Sequence, residues 1–286
     1  LATPGVDIVD IAVPPWVQPD IVPMVASAGK HMLCQKQLAL DYHTALAEVE
    51  TAEAAGVLLA VNHQMRWDAA VAASRDLIER GAIGQVAEAQ IQVSVATPWH
   101  LWPWLAAAPR LEVMYHSIHY QDALRSILGD PVWVTSVHGR YPRQDAVAGE
   151  TTTKTILEYA DGSQALVAVN HYNLHGDVYA ELRFLGTDAT LEGTVGLMYD
   201  YPAGRPDTLA LYRDGAQVRE YEFDTKWIPD AFLGPMSDLM DAIEADRAPI
   251  TAGRSILGTI AVAQAAYRSA EERRSIRLDE ITGASS

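Results

Sequence analysis

A β-branched run, Val6-Asp7-Ile8-Val9-Asp10-Ile11-Ala12-Val13, stops at Pro14-Pro15 and opens an alternation of short apolar segments and helices that few folds can accommodate. The run predicts a strand, because β-branched residues suit a pleated surface and two prolines end a ladder. A helix is predicted from Pro19 to Ala28, with Pro19 tolerated in its first turn, Pro23 counting against it, and Gly29 stopping it. His31 to Cys34 is the next short strand. Asp41 then caps a helix that runs to Ala55 and closes at Gly56. Val57 to Val61 reads as a buried strand ending at Asn62-His63, and Asp68 to Arg80 as a helix stopped by Gly81. Such short alternation of strand and helix means parallel strands joined by crossover helices.

The rhythm changes after Gly84. Val86–Val95, Val132–Tyr141, Thr151–Tyr159, Gln164–Asn170 and Val178–Leu185 read as long, partly alternating strands. Turn signals at Asp161-Gly162, Gly186-Thr187-Asp188 and Asp214-Gly215 mark an antiparallel sheet. One helix, Val113 to Leu128, interrupts it, and helices from about Phe232 to Ala245 and Arg254 to Glu272 close the chain. The 286 residues suit about two domains. The expected division is an α/β domain at 1–84 and an α+β domain at 85–286, the latter a large, mostly antiparallel open sheet with helices on one face. The Gly-Ala-Ser-Ser tail is expected to fray.

Lysine and arginine number 21 against 37 aspartates and glutamates, a formal net charge of −16. That surface repels phosphate backbones and anionic lipid, which argues against nucleic-acid and membrane-surface partners. Cys34 is the only cysteine, so no intrachain disulfide can form, in keeping with a reducing cytoplasm. Its apolar strand predicts a buried, inert thiol. No cluster has metal-ligand spacing, so no metal site is expected.

Two stretches carry chemistry. Lys36 follows the second short strand, at the carboxyl edge where ligands of open α/β sheets bind; it can hold and polarise a hydroxyl or carbonyl oxygen, or simply be a solvated loop lysine. Tyr115-His116-Ser117-Ile118-His119-Tyr120-Gln121-Asp122 opens a helix, where spacings of three and four bring Tyr115, His119 and Asp122 near one face. A histidine titrating near pH ~6.5 can take a hydroxyl proton while a lysine cation stabilises the alkoxide. His116 can face substrate or solvent. Asn62-His63 and Arg66-Trp67 again lie at the binding edge, where Arg66 can instead pair with a carboxylate. Trp99, Trp102 and Trp104 crowd one loop; they can line a substrate cleft or wedge the loop against the sheet. Asn170-His171-Tyr172-Asn173 ends a strand and can add polar contacts.

Six ordered segments, VDIVDIAVPP, AGKHMLCQKQLAL, AEAAGVLLAVNHQMRWDAA, LIERGAIGQV, HSIHYQDALRSILGDP and AAYRSAEERRSIRL, together resemble the glucose-fructose oxidoreductase/inositol dehydrogenase (Gfo/Idh/MocA) family, from Val6 to Leu278. The resemblance implies a partial Rossmann-like domain ahead of the larger sheet. It also implies an NAD(P)-dependent oxidoreductase acting on a sugar, polyol or related hydroxy compound, with NAD or NADP as cofactor. Lys36 matches the lysine of the family's Glu-Lys-Pro beside the nicotinamide, although Gln35 and Gln37 replace its neighbours. In the pattern Asp-x-Gly-x-His-x-x-Asp, His119 and Asp122 match, while Tyr115 and Ser117 stand where the first aspartate and the glycine lie. The implied roles are catalytic for Lys36, His119 and Tyr115, and cofactor-contacting for Pro14, Pro15, Lys36, Asn62 and Arg66. Trp99, Trp102, His116, His119, Asn170 and His171 are the expected substrate contacts. Pairing through the open sheet face into a homodimer or homotetramer is implied as well.

The family's Gly-rich phosphate turn has no match, since Gly81-Ala82-Ile83-Gly84 and Gly193-Thr194-Val195-Gly196 have the wrong spacing. The acidic residue expected to bind the ribose is absent too. The resemblance places about 60 further residues before Leu1, at roughly 30 per βαβ unit, so the sequence is expected to be the later part of a longer chain. The alternative is a degenerate, non-catalytic subunit that has lost its cofactor site.

Overall fold

Three short strands form the first sheet of the computed structural model, which describes residues 1–141 and 147–283. Strand β1 (Ile8–Ile11), β2 (His31–Gln35) and β3 (Leu59–Asn62) are all parallel, in that order. The crossovers are helices α1 (Gln18–Ser27) and α2 (Tyr42–Ala54). Gly29, at φ 66°, takes the chain out of α1. The Asp41 carboxylate accepts the Thr44 backbone N–H at 3.0 Å and so caps α2. Strand β1 is shorter than the β-branched run, because only Ile8 to Ile11 finds a partner on β2. The expected tail at 284–286 lies outside the described residues.

Both faces of this sheet are covered. Ile11, Met32, Cys34 and Val61 pack against Val22 of α1 and Val49 of α2. On the opposite face Leu33 and Ala60 meet Leu239. Cys34 is free and fully buried, and burial, with Glu48 and Asp10 nearby, pushes its thiol pKa up. The alternation therefore reads correctly as parallel strands, and the thiol is inert.

Helix α3 (Ala69–Glu79) leads to β4 (Val86–Ser94), and the chain then passes the short α4 (Pro103–Ala106) to α5 (Ile118–Leu128). Strands β5 (Trp133–Gly139), β6 (Thr152–Glu158), β7 (Gln164–Asn170), β8 (Tyr179–Gly186), β9 (Thr190–Thr194), β10 (Thr208–Arg213) and β11 (Ala216–Glu222) follow. Helices α6 (Leu233–Glu244) and α7 (Gly253–Glu272), strand β12 (Ile276–Arg277) and the one-turn α8 (Asp279–Thr282) end the fold. The second sheet has nine strands in the order β11-β10-β9-β8-β4-β7-β6-β5-β12. All its pairings are antiparallel except β4 with β7, where Glu88 faces Gln164 and Ser94 faces Asn170 in parallel register.

Strands β9 to β12 escape a reading by alternation. Gly193 interrupts β9, β11 is exposed along nearly its whole length, and β12 is a pair of residues. Only the Asp214-Gly215 turn announces the β10–β11 hairpin, and both residues have the positive φ, 52° and 77°, that a tight hairpin needs.

Helices α5 and α7 cover one face of the nine-stranded sheet, where Ile118, Leu124, Ala261 and Ala265 pack on Val134, Leu157, Val167 and Phe184. Gly258 allows the close approach of the two helices: a Cβ there would stand 2.1 Å from Arg125 Nη2. The other face is open, with Val137 61% and Ile156 42% exposed. The ends of α6 and α7 turn back to the first sheet, so Ile256, Leu257 and Ile260 belong to its core. Among the described residues no helix is long and apolar enough to cross a membrane.

Candidate active site

Strand β2 delivers Lys36 to the carboxyl edge of the parallel sheet. The Lys36–Gln37 peptide bond is cis. Gln18, a residue that no sequence signal marks, donates its side-chain amide to the carbonyls of Gln35 at 2.9 Å and Gln37 at 3.0 Å, holding the turn from both sides. From there Lys36 Nζ crosses to the second sheet's helices and donates to the Tyr115 carbonyl at 2.7 Å. Burial lowers its pKa to about 8, so the ammonium still predominates at neutral pH.

Tyr115 and His116 lie in a π-helical turn, Val113–Ser117, that runs into α5. The single helix expected from Val113 to Leu128 is thus two segments, and the one-face argument from spacings of three and four holds only from Ile118 onward. His119 is 7% exposed and its Nδ1 has no hydrogen-bond partner. Burial, the Lys36 charge and the neighbouring histidines hold its pKa well below the usual value. His116 is depressed in the same way, by burial first, then His171 and Lys36. Both rings are therefore neutral at pH 7. The His116 and His171 ring centroids stand 4.5 Å apart, and Thr97 Oγ1 holds His171 Nδ1 at 2.6 Å. Burial raises the Tyr115 phenol, which stays protonated.

Asp122 does not share the site with His119. It is fully buried one turn further along, where Arg66 Nε and Nη2 donate to its two carboxylate oxygens, each at 2.8 Å. Thr259 Oγ1 adds a bond of 2.7 Å, and His63 Nδ1 stands 3.6 Å away. Burial alone would raise the Asp122 pKa, but the Arg66 and His63 charges and the Arg66 hydrogen bonds hold it well below the carboxylate range. Arg66 also donates to the Ile250 carbonyl at 3.0 Å. Of the two roles open to Arg66, the geometry is that of carboxylate pairing. His63, which spacing alone does not single out, stands edge-on to His119 with ring centroids 6.4 Å apart. Burial brings its pKa down to about 4 despite Asp122.

Tyr115, His116, His119 and His171 line one cleft of about 490 Å³, together with Trp102. Trp99 is not on its wall; it stands behind, edge-on to His116 at 5.9 Å and tilted on His171 at 5.3 Å between ring centroids. Asn170 is not on the wall either, because it faces its own turn and accepts the Tyr172 N–H at 2.9 Å. Asn62 ends β3 with its Oδ1 buried and unpartnered. In the turn after β1, Pro14 is exposed and Pro15 buried. Trp16 next to them meets Trp104 at 6.2 Å, and Trp104 meets Tyr115 at 5.7 Å, an aromatic chain between the two sheets.

Asn173, from the strand end that the sequence marks for polar contacts, is on the wall, and sequence reasoning passes over Tyr201 and Trp227, which complete the cleft. Trp227 stands edge-on to His119 with centroids 5.1 Å apart. It lies in a linker without periodicity, so no local pattern marks it. Among the described residues no group of three His, Cys, Asp or Glu could hold a metal ion.

Comparison with known proteins places the chain in a family. A model described as the C-terminal alpha/beta domain of an oxidoreductase family, Gfo/Idh/MocA, matches residues 75–278. A D-apiose dehydrogenase of Paraburkholderia graminis is 27% identical over 291 aligned positions, covering 98% of this chain and 75% of the relative. An oxidoreductase from Agrobacterium radiobacter, solved with NAD+, L-tartaric acid and magnesium, superposes with a TM-score of 0.84 at 24% identity, covering 96% and 81% of the two chains. An inositol dehydrogenase homologue from Azotobacter vinelandii, solved with NADH and myo-inositol, gives 0.78 at 18% identity and 96% and 79% coverage. The structural likenesses establish the fold.

Proposed function

The chain belongs to the Gfo/Idh/MocA oxidoreductase family, and from that premise we propose that it transfers a hydride between a nicotinamide cofactor, NAD or NADP, and a secondary hydroxyl or carbonyl of a small sugar-like compound. The observation that carries the reading is the crossing of Lys36 from the parallel sheet to the Tyr115 carbonyl, which sets a half-buried cation near His119, whose Nδ1 has no hydrogen-bond partner. The D-apiose dehydrogenase and the inositol-bound homologue support a polyhydroxylated substrate.

The residues at the carboxyl edge fit the nicotinamide end of the cofactor. Asn62 Oδ1 is a buried acceptor without a partner, and Asn62 pairs across the sheet with Gln35, the neighbour of Lys36. Asn62, Lys36 and the Pro14-Pro15 turn would hold it. A bound nicotinamide supplies the hydride acceptor for oxidation or the donor for reduction.

In the oxidation direction, His119 takes the hydroxyl proton. Its depressed pKa keeps it unprotonated near neutrality, as a proton acceptor must be. The Lys36 ammonium stabilises the negative charge that builds on the same oxygen, in a site where burial strengthens that interaction. The Tyr115 phenol keeps its proton and acts by donating a hydrogen bond rather than as a base. Reduction reverses the path, and because His119 is neutral near pH ~7 it needs the ring to pick up a proton first, so that direction is favoured at lower pH.

The test is hydride transfer. The purified protein, incubated with NAD or NADP and a panel of aldoses and cyclic polyols, is expected to form reduced nicotinamide with at least one of them. Confirmed cofactor binding without transfer in either direction across the panel would overturn the proposal and favour a non-catalytic subunit.

A further inference from the structure

The cleft that holds His119 changes character along its length. At the buried end its polar groups are the neutral rings of His116 and His119, with His171 and the Tyr115 phenol. At the open end Trp102 and Tyr201 touch, their rings tilted by 59° with centroids 6.1 Å apart, and Tyr201 is 46% exposed against 7% for His119. Between them the wall is apolar, with Leu197, Met198 and Ile228. The Tyr199 hydroxyl on that wall already receives the Ala180 N–H at 3.2 Å. No Asp, Glu, Lys or Arg is among the described residues that line the cleft.

Three consequences follow from this lining. Along the apolar wall and at the mouth, away from Lys36, a carboxylate or phosphate on the substrate would lose its hydration without finding a cation, a costly burial. A single hydroxylated ring uses the histidine end and leaves the aromatic mouth empty within a space of about 490 Å³. A second sugar ring at the mouth would bury hydroxyls against Leu197, Met198 and Ile228 with few partners, and each unmade bond counts against it. An apolar ring suits the mouth, because aromatic groups gain from offset and edge-on contacts beyond their area.

We propose that the substrate is an uncharged glycoside in two parts: a polyhydroxylated ring held by His116, His119 and His171, and an aromatic aglycone packed against the Trp102–Tyr201 pair at the mouth. This rests on the oxidoreductase reading above only for the identity of the site; the division of the cleft stands on its lining.

Binding, measured apart from turnover, tests it. The full chain is titrated with phenyl and methyl β-glycosides of D-glucose, D-galactose and D-xylose, with cellobiose, and with phenyl β-D-glucuronide, by calorimetry. At least one phenyl glycoside is expected to bind about tenfold or more tighter than its methyl counterpart, and tighter than cellobiose, with the glucuronide the weakest phenyl ligand. Trp102→Ala and, separately, Tyr201→Ala should each bring the phenyl-to-methyl ratio towards one, with circular dichroism confirming the fold. The inference fails if every ratio is near one, if cellobiose or the glucuronide binds best, or if the ratio survives both substitutions. Phenyl preference without hydride transfer would defeat the proposed reaction and keep this inference; transfer without phenyl preference would do the reverse.

Discussion

Arg66 grips Asp122 through two hydrogen bonds of 2.8 Å, both residues almost wholly buried, and so ties the segment after β3 to the helix that carries His119. The parallel sheet supplies Lys36 and the helix supplies His119, and this pair fixes one against the other. Arg66→Ala would strand the Asp122 carboxylate in the interior. The expected loss is about 3–5 kcal/mol of unfolding free energy, read by denaturant titration. Arg80→Ala, which removes an exposed pair with Asp76, should cost about 1 kcal/mol or less. Equal effects of the two substitutions would refute the bracing role.

Lys36→Ala and His119→Ala should each lower kcat by about 10²–10⁴ while the protein stays folded, as expected for a positioned acid–base or charge-stabilising group. Lys36→Arg should not restore activity, because a planar guanidinium cannot replace a point charge held on the Tyr115 carbonyl. Cofactor binding is measured separately, by fluorescence of reduced nicotinamide. Variants that bind it and turn over like the parent would remove both residues from the mechanism.

Activity in the oxidation direction is expected to fall as pH rises through about 8, where Lys36 loses its charge. Burial lowers the lysine pKa, so the charged form persists below that point and disappears above it. His119 adds no limb near neutrality, since its pKa is already depressed. A kcat/KM profile that stays flat or rises through this range would count against Lys36 as the charge partner.

Glu48 sets the pH dependence of stability. It is 3% exposed, with both oxygens unpartnered, and burial followed by the Asp41 charge raises its pKa to about 8. Between its ordinary value and about 8 the native state holds a proton that the unfolded state releases. Stability from this group is therefore present at low pH and lost as pH rises through that window, at up to about 1.4 kcal/mol per pH unit. Glu48→Leu should flatten the difference in stability between pH ~5 and ~8. Parent and variant curves with equal slopes in thermal denaturation would contradict it.

The open face of the nine-stranded sheet is expected to pair with a second copy, because Val137 and Ile156 lie exposed on it. Light scattering should give a dimer or tetramer, and Val137→Glu combined with Ile156→Lys should weaken it. A parent protein that is monomeric at micromolar concentration rules this out.

What could be read from the sequence was local. Gly29, Asp41 and the Pro14-Pro15 turn punctuate their own neighbourhoods, and they are enough to place Lys36 at a sheet edge. His119 could be picked out because its motif is contiguous. Trp227 and Tyr201 could not, since they reach the cleft from far along the chain and nothing beside them encodes that approach. Nor could the partner of Asp122: a buried carboxylate demands a cation, but the sequence offers many arginines and only packing selects Arg66. The π turn at Val113–Ser117 was hidden for a different reason, as its residues carry ordinary helical preferences and the additional residue per turn has no local signature.

The parallel pairing of β4 with β7 makes the cleft depend on a long-range chain closure. The chain between those strands contains the tryptophan loop, the π turn, α5 and the β5–β6 hairpin, so Trp102, His116 and His119 all ride on one long crossover. Closing it brings together residues far apart in the chain before any ladder bond offsets the lost entropy. The β10–β11 hairpin can form early from its own turn, while the cleft is completed only when β7 docks beside β4. A population caught before that step would hold much of its secondary structure and yet present no assembled histidine cluster.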